Sequence, residues 1–376
     1  MNNRNLALDG LRGFFLVIMA VNHLFGAFVR NFTAEPLGPV SAAEGFVLLS
    51  GIVFAMVYGA RDNIFAVTGK RLWLVYRWQI TGVIALVAGC FAVPALYEQV
   101  WAPFFGLADV KDHFWQTSIA MMTLTYVPGF HDVLVIYLVS LALAPIGLVL
   151  LRKGLGLIWL LASGALWLAA KWLNADMLNP VFAQVLPDIA FTPGYFDVLA
   201  WQFLFQIGLV LGFYAKHRNL DFMVANKVFN TLVVVSILAI TIVWQLNKLG
   251  LMPLAVFSVL NGDQPLQSAL GNDTPALGLM RIAYTLLVAY GAMLLVRYVP
   301  KLLSLRYFTF LGQHSIQVFV FHAVALYWIA PFAYPYNIEL WWADLLISLA
   351  FALSLLLPAY LHSLWQNMRK KQLSAA

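Results

Sequence analysis

Apolar runs of about 17–25 residues recur along the chain, separated by short polar stretches rich in Lys, Arg, Asn, Asp, Gly and Pro. At 1.5 Å of rise per helical residue, such a run crosses a hydrocarbon core of about 30 Å. The pattern predicts about ten transmembrane helices, at 12–30, 44–60, 72–96, 133–151, 155–173, 197–215, 228–248, 277–298, 307–330 and 340–365. Alternation of the outer-membrane barrel type is absent. The expected fold is therefore an all-α polytopic integral membrane protein, organised as a single domain over residues 1–376.

The segment DHFWQTSIAMMTLTYVPGF, residues 112–130, departs from this pattern. Its apolar core is short and Pro128-Gly129 interrupts it. Counting it as a span would invert every later loop, moving Arg152, Lys153, Lys216, Arg218 and the RKK at 369–371 to the opposite side. It is read instead as a short re-entrant or interfacial helix near 113–127. With that reading, only Arg30, Lys111, Lys171, Lys248 and Arg281 of the 22 Lys and Arg side chains fall on one side. The positive-inside rule makes the other side cytoplasmic, and both termini with it. The outer loops 97–132, 174–196 and 249–276 are the longer ones, suited to covering a site on that face. No internal repeat of the transporter type is visible.

Composition agrees: 62% of the 376 residues are hydrophobic and 10% charged, against about a quarter charged in soluble domains. Mean hydropathy is +0.84. The net charge of +6 comes from the loops, so the partner it indicates is the lipid bilayer and not nucleic acid. The first apolar run carries Arg12 and His23 and lacks a small-residue cleavage site, so it is expected to be a span and not a cleavable signal. A single cysteine, Cys90, excludes an intrachain disulfide. No HExxH, P-loop, GxSxG or GxGxxG occurs, and no metal site is expected.

Charged and titratable residues inside the spans carry the candidate chemistry. In LDGLRGFFLVIMAVNHLFG (8–26), Arg12 and His23 are eleven residues apart. Eleven steps of about 100° return to the same helix face, about 16 Å further along the axis. Arg12 then lies at the cytoplasmic surface and His23 beyond mid-bilayer, beside Asn22. An arginine at the boundary also serves as a plain topology anchor, and a buried histidine as an interhelical hydrogen-bond partner. A titratable group at such depth nevertheless faces a bundle interior or a water-filled cavity as a rule. Glu44 opens the second span, SAAEGFVLLSG, where it is either a solvated loop carboxylate or a partner for His23. Arg61, Lys70, Arg71 and Arg77 cluster at the inner face, read either as an anchor on anionic lipid or as a seat for a polyphosphate ligand. The ninth span, LGQHSIQVFVFHAVALYW, puts His322 at a depth comparable with His23.

These residues resemble the acyltransferase-3 superfamily of membrane O-acyltransferases. LDGLRG…H matches its Arg-x10-His signature, and GFVLLSG and LGQHSIQVFVFH resemble its second-span and late-span motifs. Within that superfamily, SAAEGFVLLSGIVFAMVYG, TLTYVPGFHDVLVIYLVSLALAP and FDVLAWQFLFQIGLVLG look like stretches of the OpgC family, named for succinylation of osmoregulated periplasmic glucans. The third-span Arg-x-x-Arg of the superfamily is not reproduced, since Arg71 and Arg77 are six apart, and Gln79 stands where the family pattern has His.

The resemblance implies transfer of an acyl group, succinyl, from cytosolic acyl-CoA to a hydroxyl of a periplasmic glycan. It also implies a bacterial inner-membrane location and no permanently bound cofactor. In that scheme Arg12, Arg71 and Arg77 hold the CoA phosphates, His23 is the general base and Glu44 orients it. Tyr126, Asp132, Tyr137, Trp201, Gln202 and His322 are then candidates for the acceptor side. The residues alone also fit a transporter or flippase for a glycan or lipid-linked sugar with a histidine proton path, or a catalytically silent scaffold.

Overall fold

Four of the principal helices begin at a short polar side chain that caps the start of an apolar run. The computed structural model describes residues 5–24, 27–173, 175–218, 226–252, 265–333 and 340–375. In α1 (Leu6–Asn22), Asn5 Oδ1 accepts from the Ala7 and Leu8 amides at 3.1 and 3.3 Å. In α2 (Ala42–Tyr58), Ser41 and Glu44 form a capping box. The remaining principal helices are α3 (Ile64–Ala92), α4 (Phe114–Met122), α5 (Asp132–Arg152), α6 (Gly156–Ala169), α7 (Val198–His217), α8 (Lys227–Lys248), α9 (Leu279–Tyr298), α10 (Arg306–Gln313), α11 (Ser315–Ala333), α12 (Trp341–Ser354) and α13 (Leu356–Ala375).

The described residues are all-helical apart from an isolated bridge between Tyr126 and Thr192. Among the described residues, six helical stretches are long and apolar enough to cross a membrane: α3, α5, α7, α8, α9 and 341–372; α2, α6 and 315–329 are shorter apolar helices. Helix covers most of each expected span, with four interruptions, one of them at Val93 inside 72–96. The first run stops at Asn22 and resumes as a short helix, Ala27–Thr33. The ninth is divided at His314 into α10 and α11, and the tenth at Leu355 into α12 and α13. The segment at 112–130 forms only the nine-residue α4 followed by a turn. At about 13 Å it is too short to cross.

Glycine sets the closest packing. Phe205, Gly208 and Gly212 of α7 lie against Leu48, Gly51 and Ile52 of α2, so close that a methyl group at Gly208 would sit 2.2 Å from the Leu48 carbonyl oxygen. This is the small-xxx-small contact by which membrane helices gain van der Waals packing without a hydrophobic driving force. Helices α2, α5 and α7 form the buried centre, with α1, α10 and α11 on one side of it. Helices α8 and α9 are peripheral, most of their surface uncovered. At the basic end, Arg152 donates to the Gly59 and Arg61 carbonyls at 2.8 and 2.6 Å, tying the end of α2 to α5. At the opposite end, residues 97–130 fold against 186–192, and Trp101 Nε1 donates to the Tyr327 carbonyl at 2.7 Å.

Candidate functional site

Two of the sequence-derived candidates meet deep in the bundle. His23 caps the C-terminus of α1, its amide donating to the Met19 carbonyl at 3.2 Å. Its imidazole stacks on that of His322 in α11, with centroids 5.8 Å apart and planes 13° apart. His322 is wholly buried and neither of its ring nitrogens has a hydrogen-bond partner; His23 Nδ1 has none either. Buried polar atoms are nearly always satisfied in folded proteins, so three unpaired imidazole nitrogens around one contact mark a place built for a further group.

A third histidine, absent from the sequence-derived set, joins them. His131, just before α5, is wholly buried, with Nδ1 3.2 Å from the Gly129 carbonyl oxygen and Nε2 unpartnered. It reaches its position across Gly82 of α3, where a methyl group would stand 2.8 Å from Nε2. The bend that delivers it is held from α11: Tyr327 donates to the Gly129 carbonyl at 3.0 Å. Phe130 sits in the left-handed region at φ 65°, and its ring packs 4.7 Å from that of His23. Such a backbone costs a non-glycine residue about 1–3 kcal/mol and persists only where the surroundings demand it. Gln79 lies one turn before Gly82 on α3 and is buried, its Oε1 unpartnered. Among the described residues, no group of three His, Cys, Asp or Glu side chains is arranged to hold a metal ion.

A polar cavity of about 510 Å³ enters the bundle from the basic end. Arg12 and Asp9 of α1, Ser50 and Tyr58 of α2, Arg71 of α3, Tyr137 of α5, Lys216 of α7 and Gln313 line it. Three cations on three helices around one cavity suit a multiply charged anion, above all through the guanidinium forks. The deep end narrows to a space of about 10 Å³ bounded by Arg12, Phe46, Ser50, Arg71, Tyr137 and Phe319. Beyond stands the histidine pair, because the Phe319 ring meets His322 edge-on at 4.8 Å. Phe46 stacks on Phe319 at 6.5 Å. Cavity, aromatic constriction and histidine cluster thus follow one another along α11, from Ser315 through Phe319 to His322.

Residues 4–367 match the family model described as OpgC protein. The chain belongs to the OpgC family. No curated protein and no solved structure matches it. Membership of the OpgC family points to glucan modification and a transferase role.

The other candidate residues of this OpgC-family chain are dispersed. Glu44 is wholly buried, but its carboxylate binds the Ser41 amide at 2.9 Å and the Arg281 guanidinium, and makes no hydrogen bond to His23. Arg77 does not line the cavity; it is exposed, and its guanidinium lies 5.8 Å from the Trp73 ring centroid. Six helical steps place it about 240° around α3 from Arg71. Tyr137 belongs with Arg71 in the cavity at the basic end, not with an acceptor at the other face.

Asp132 accepts from the Val133 and Tyr195 amides at 3.1 Å each, closing the loop at Gly194 over the start of α5. Tyr126 is buried in the bridge to Thr192. Trp201 is buried against Phe196 and donates to the Thr274 and Pro275 carbonyls, both at 3.1 Å. Gln202 accepts from Ser163 Oγ at 2.8 Å and donates to the Ser163 and Leu199 carbonyls at 3.0 Å. These last two spend their polar atoms on joining helices and loops. His131 and Lys216 are the residues that sequence reasoning passed over. The signal for His131 was present in PGFHD, a histidine placed between a Pro-Gly break and a long apolar helix.

Proposed function

We propose that this protein is a membrane O-acyltransferase of the acyltransferase-3 type, residing in a bacterial inner membrane. It moves a succinyl group from cytosolic acyl-CoA to a hydroxyl of a periplasmic glucan. One observation carries the reading: a cation-lined cavity at the basic end leads, through Phe46 and Phe319, to the stacked pair His23 and His322. Arg12, Arg71 and Lys216 bind the CoA phosphates, and the pantetheine arm runs towards the constriction. Movement of Phe319 admits the thioester to the histidines. His23 takes the proton of the glucan hydroxyl as its oxygen attacks the thioester carbonyl. The new C–O bond forms, the C–S bond breaks, and the CoA thiolate leaves and recovers a proton. His322 holds the His23 ring by stacking, and no acyl-enzyme is needed.

The test uses the purified full chain in detergent with labelled succinyl-CoA and a β-glucan. Label should enter the glucan only when both substrates and the protein are present. Glucan crossing a proteoliposome membrane without any acyl-CoA, with no label transferred in detergent, would replace this reading with transport.

A further inference from the structure

A second cavity adjoins the cation-lined one across the contact between α1 and α2, and none of its lining residues reaches the histidines. It is a cleft of about 320 Å³ between α1, α2 and α9, walled by residues such as Leu11 and Ile18, Leu48 and Ile52, and Ala289 and Met293. Its origin is visible in the way α9 is attached. Near its outer end, Arg281 is buried in an ion triad with Glu44 and Glu35, and Tyr284 donates to the Leu37 carbonyl at 2.7 Å. Towards the basic end, α9 presents Ala289 and Ala292 to the larger residues of α1 and α2, and the helices stay apart.

We propose that this cleft binds one acyl chain of an anionic phospholipid from the cytoplasmic leaflet. Among the described lining residues Arg297 alone is charged, and it stands at the basic mouth of the cleft. A ligand with an apolar body and an anionic head at that end matches this distribution, and a neutral apolar solute does not use it. Length agrees as well. From Thr285 to Arg297 the cleft follows α9 for twelve residues, about 18 Å, close to the ~15 Å of hydrocarbon in one leaflet. Helix α9 is peripheral, so lipid has direct access from the bilayer. The cleft and the cation-lined cavity share only Asn5, Leu8 and Met56, which keeps the lipid tail apart from the route to the histidines.

The test reconstitutes the full chain in vesicles containing phosphatidylglycerol with a photoreactive diazirine at mid-chain, and maps the cross-links by mass spectrometry. Peptides of α9 around Ala289–Met293 and of α1 around Leu11–Ile18 should label more strongly than the lipid-exposed face of α12 at Leu349 and Leu353. Ala289→Phe and Ala292→Phe, which fill the cleft, should abolish the excess. Arg297→Gln should keep the tail but lose about tenfold of the preference for phosphatidylglycerol over phosphatidylcholine, the loss expected for one charge-assisted contact. Equal labelling of α9 and α12 in the wild-type chain would overturn the proposal without any variant having to fold. So would undiminished labelling in the filled variants, or an unchanged headgroup preference in Arg297→Gln.

Discussion

His23 and His322 lie face to face with ring centroids 5.8 Å apart, one at the end of the first helix and the other in the middle of α11. Three of their four nitrogens are buried and unpartnered. If His23 is the general base, His23→Ala should lower succinyl transfer by about 10²–10⁴-fold while the purified protein keeps its melting temperature. His322→Phe retains a ring for stacking and removes both nitrogens. A loss of kcat in that variant, with donor KM unchanged, would give His322 a role beyond packing.

Gly82 carries no functional group, yet its substitution should be felt at the site. A methyl group there would lie 2.8 Å from His131 Nε2, so Gly82→Ala must displace the ring. Transfer should fall while donor affinity, set in the other cavity, stays unchanged. An equal fall in both would indicate general loosening of the bundle.

Arg71 and Arg77 should separate cleanly in a donor-binding measurement. Arg71 lines the cavity with Arg12 and Lys216, whereas Arg77 packs on Trp73 away from it. Losing one hydrogen-bonded charge costs about 1.5–3 kcal/mol, so Arg71→Ala should weaken CoA binding roughly 10–100-fold. Arg77→Ala should leave it unchanged. Calorimetric titration with CoA reads both.

Phe319 closes the cavity towards the histidines. Phe319→Ala should open that route to water and raise hydrolysis of succinyl-CoA in the absence of glucan. Thiol release measured without acceptor tests this, and an unchanged background rate would mean that Phe319 does not hold back the thioester.

Arg281 and Glu44 predict a loss of stability and not of chemistry. Both are buried, and breaking a buried pair by removing one partner costs about 3–5 kcal/mol. Arg281→Met should therefore lower the melting temperature sharply in detergent. Glu44→Gln keeps the cap on Ser41 and should do so less, while the pH profile of the remaining transfer matches wild type. A displaced pH profile would tie Glu44 to His23 after all.

Much of the helical layout was legible because long apolar runs leave a chain in hydrocarbon few alternatives. Backbone amides and carbonyls have no water to bond there, so each run must be helical. The breaks were not legible. The interruptions at His314 and Leu355 fall inside apolar runs and carry no proline or glycine at the break itself. Gln202 and Trp201 show the same limit for the site. A polar residue in a span signals that it needs a partner, but the sequence does not say whether that partner is a ligand or a neighbouring helix.

By itself, the sequence determined the helical class, the basic face and the pairing of Arg12 with His23 on one face, since these follow from run length, loop charge and an eleven-residue spacing. Tertiary structure alone decided which residues share a cavity. It joined His131 and His322 to His23, put Lys216 and Tyr137 beside Arg71, and turned Arg77 away. It also gave Glu44 to Arg281. The reason is that helix packing, not charge or order along the chain, determines which faces meet, and that packing is set by glycines such as Gly51, Gly208 and Gly212, where backbones come too close to admit a side chain.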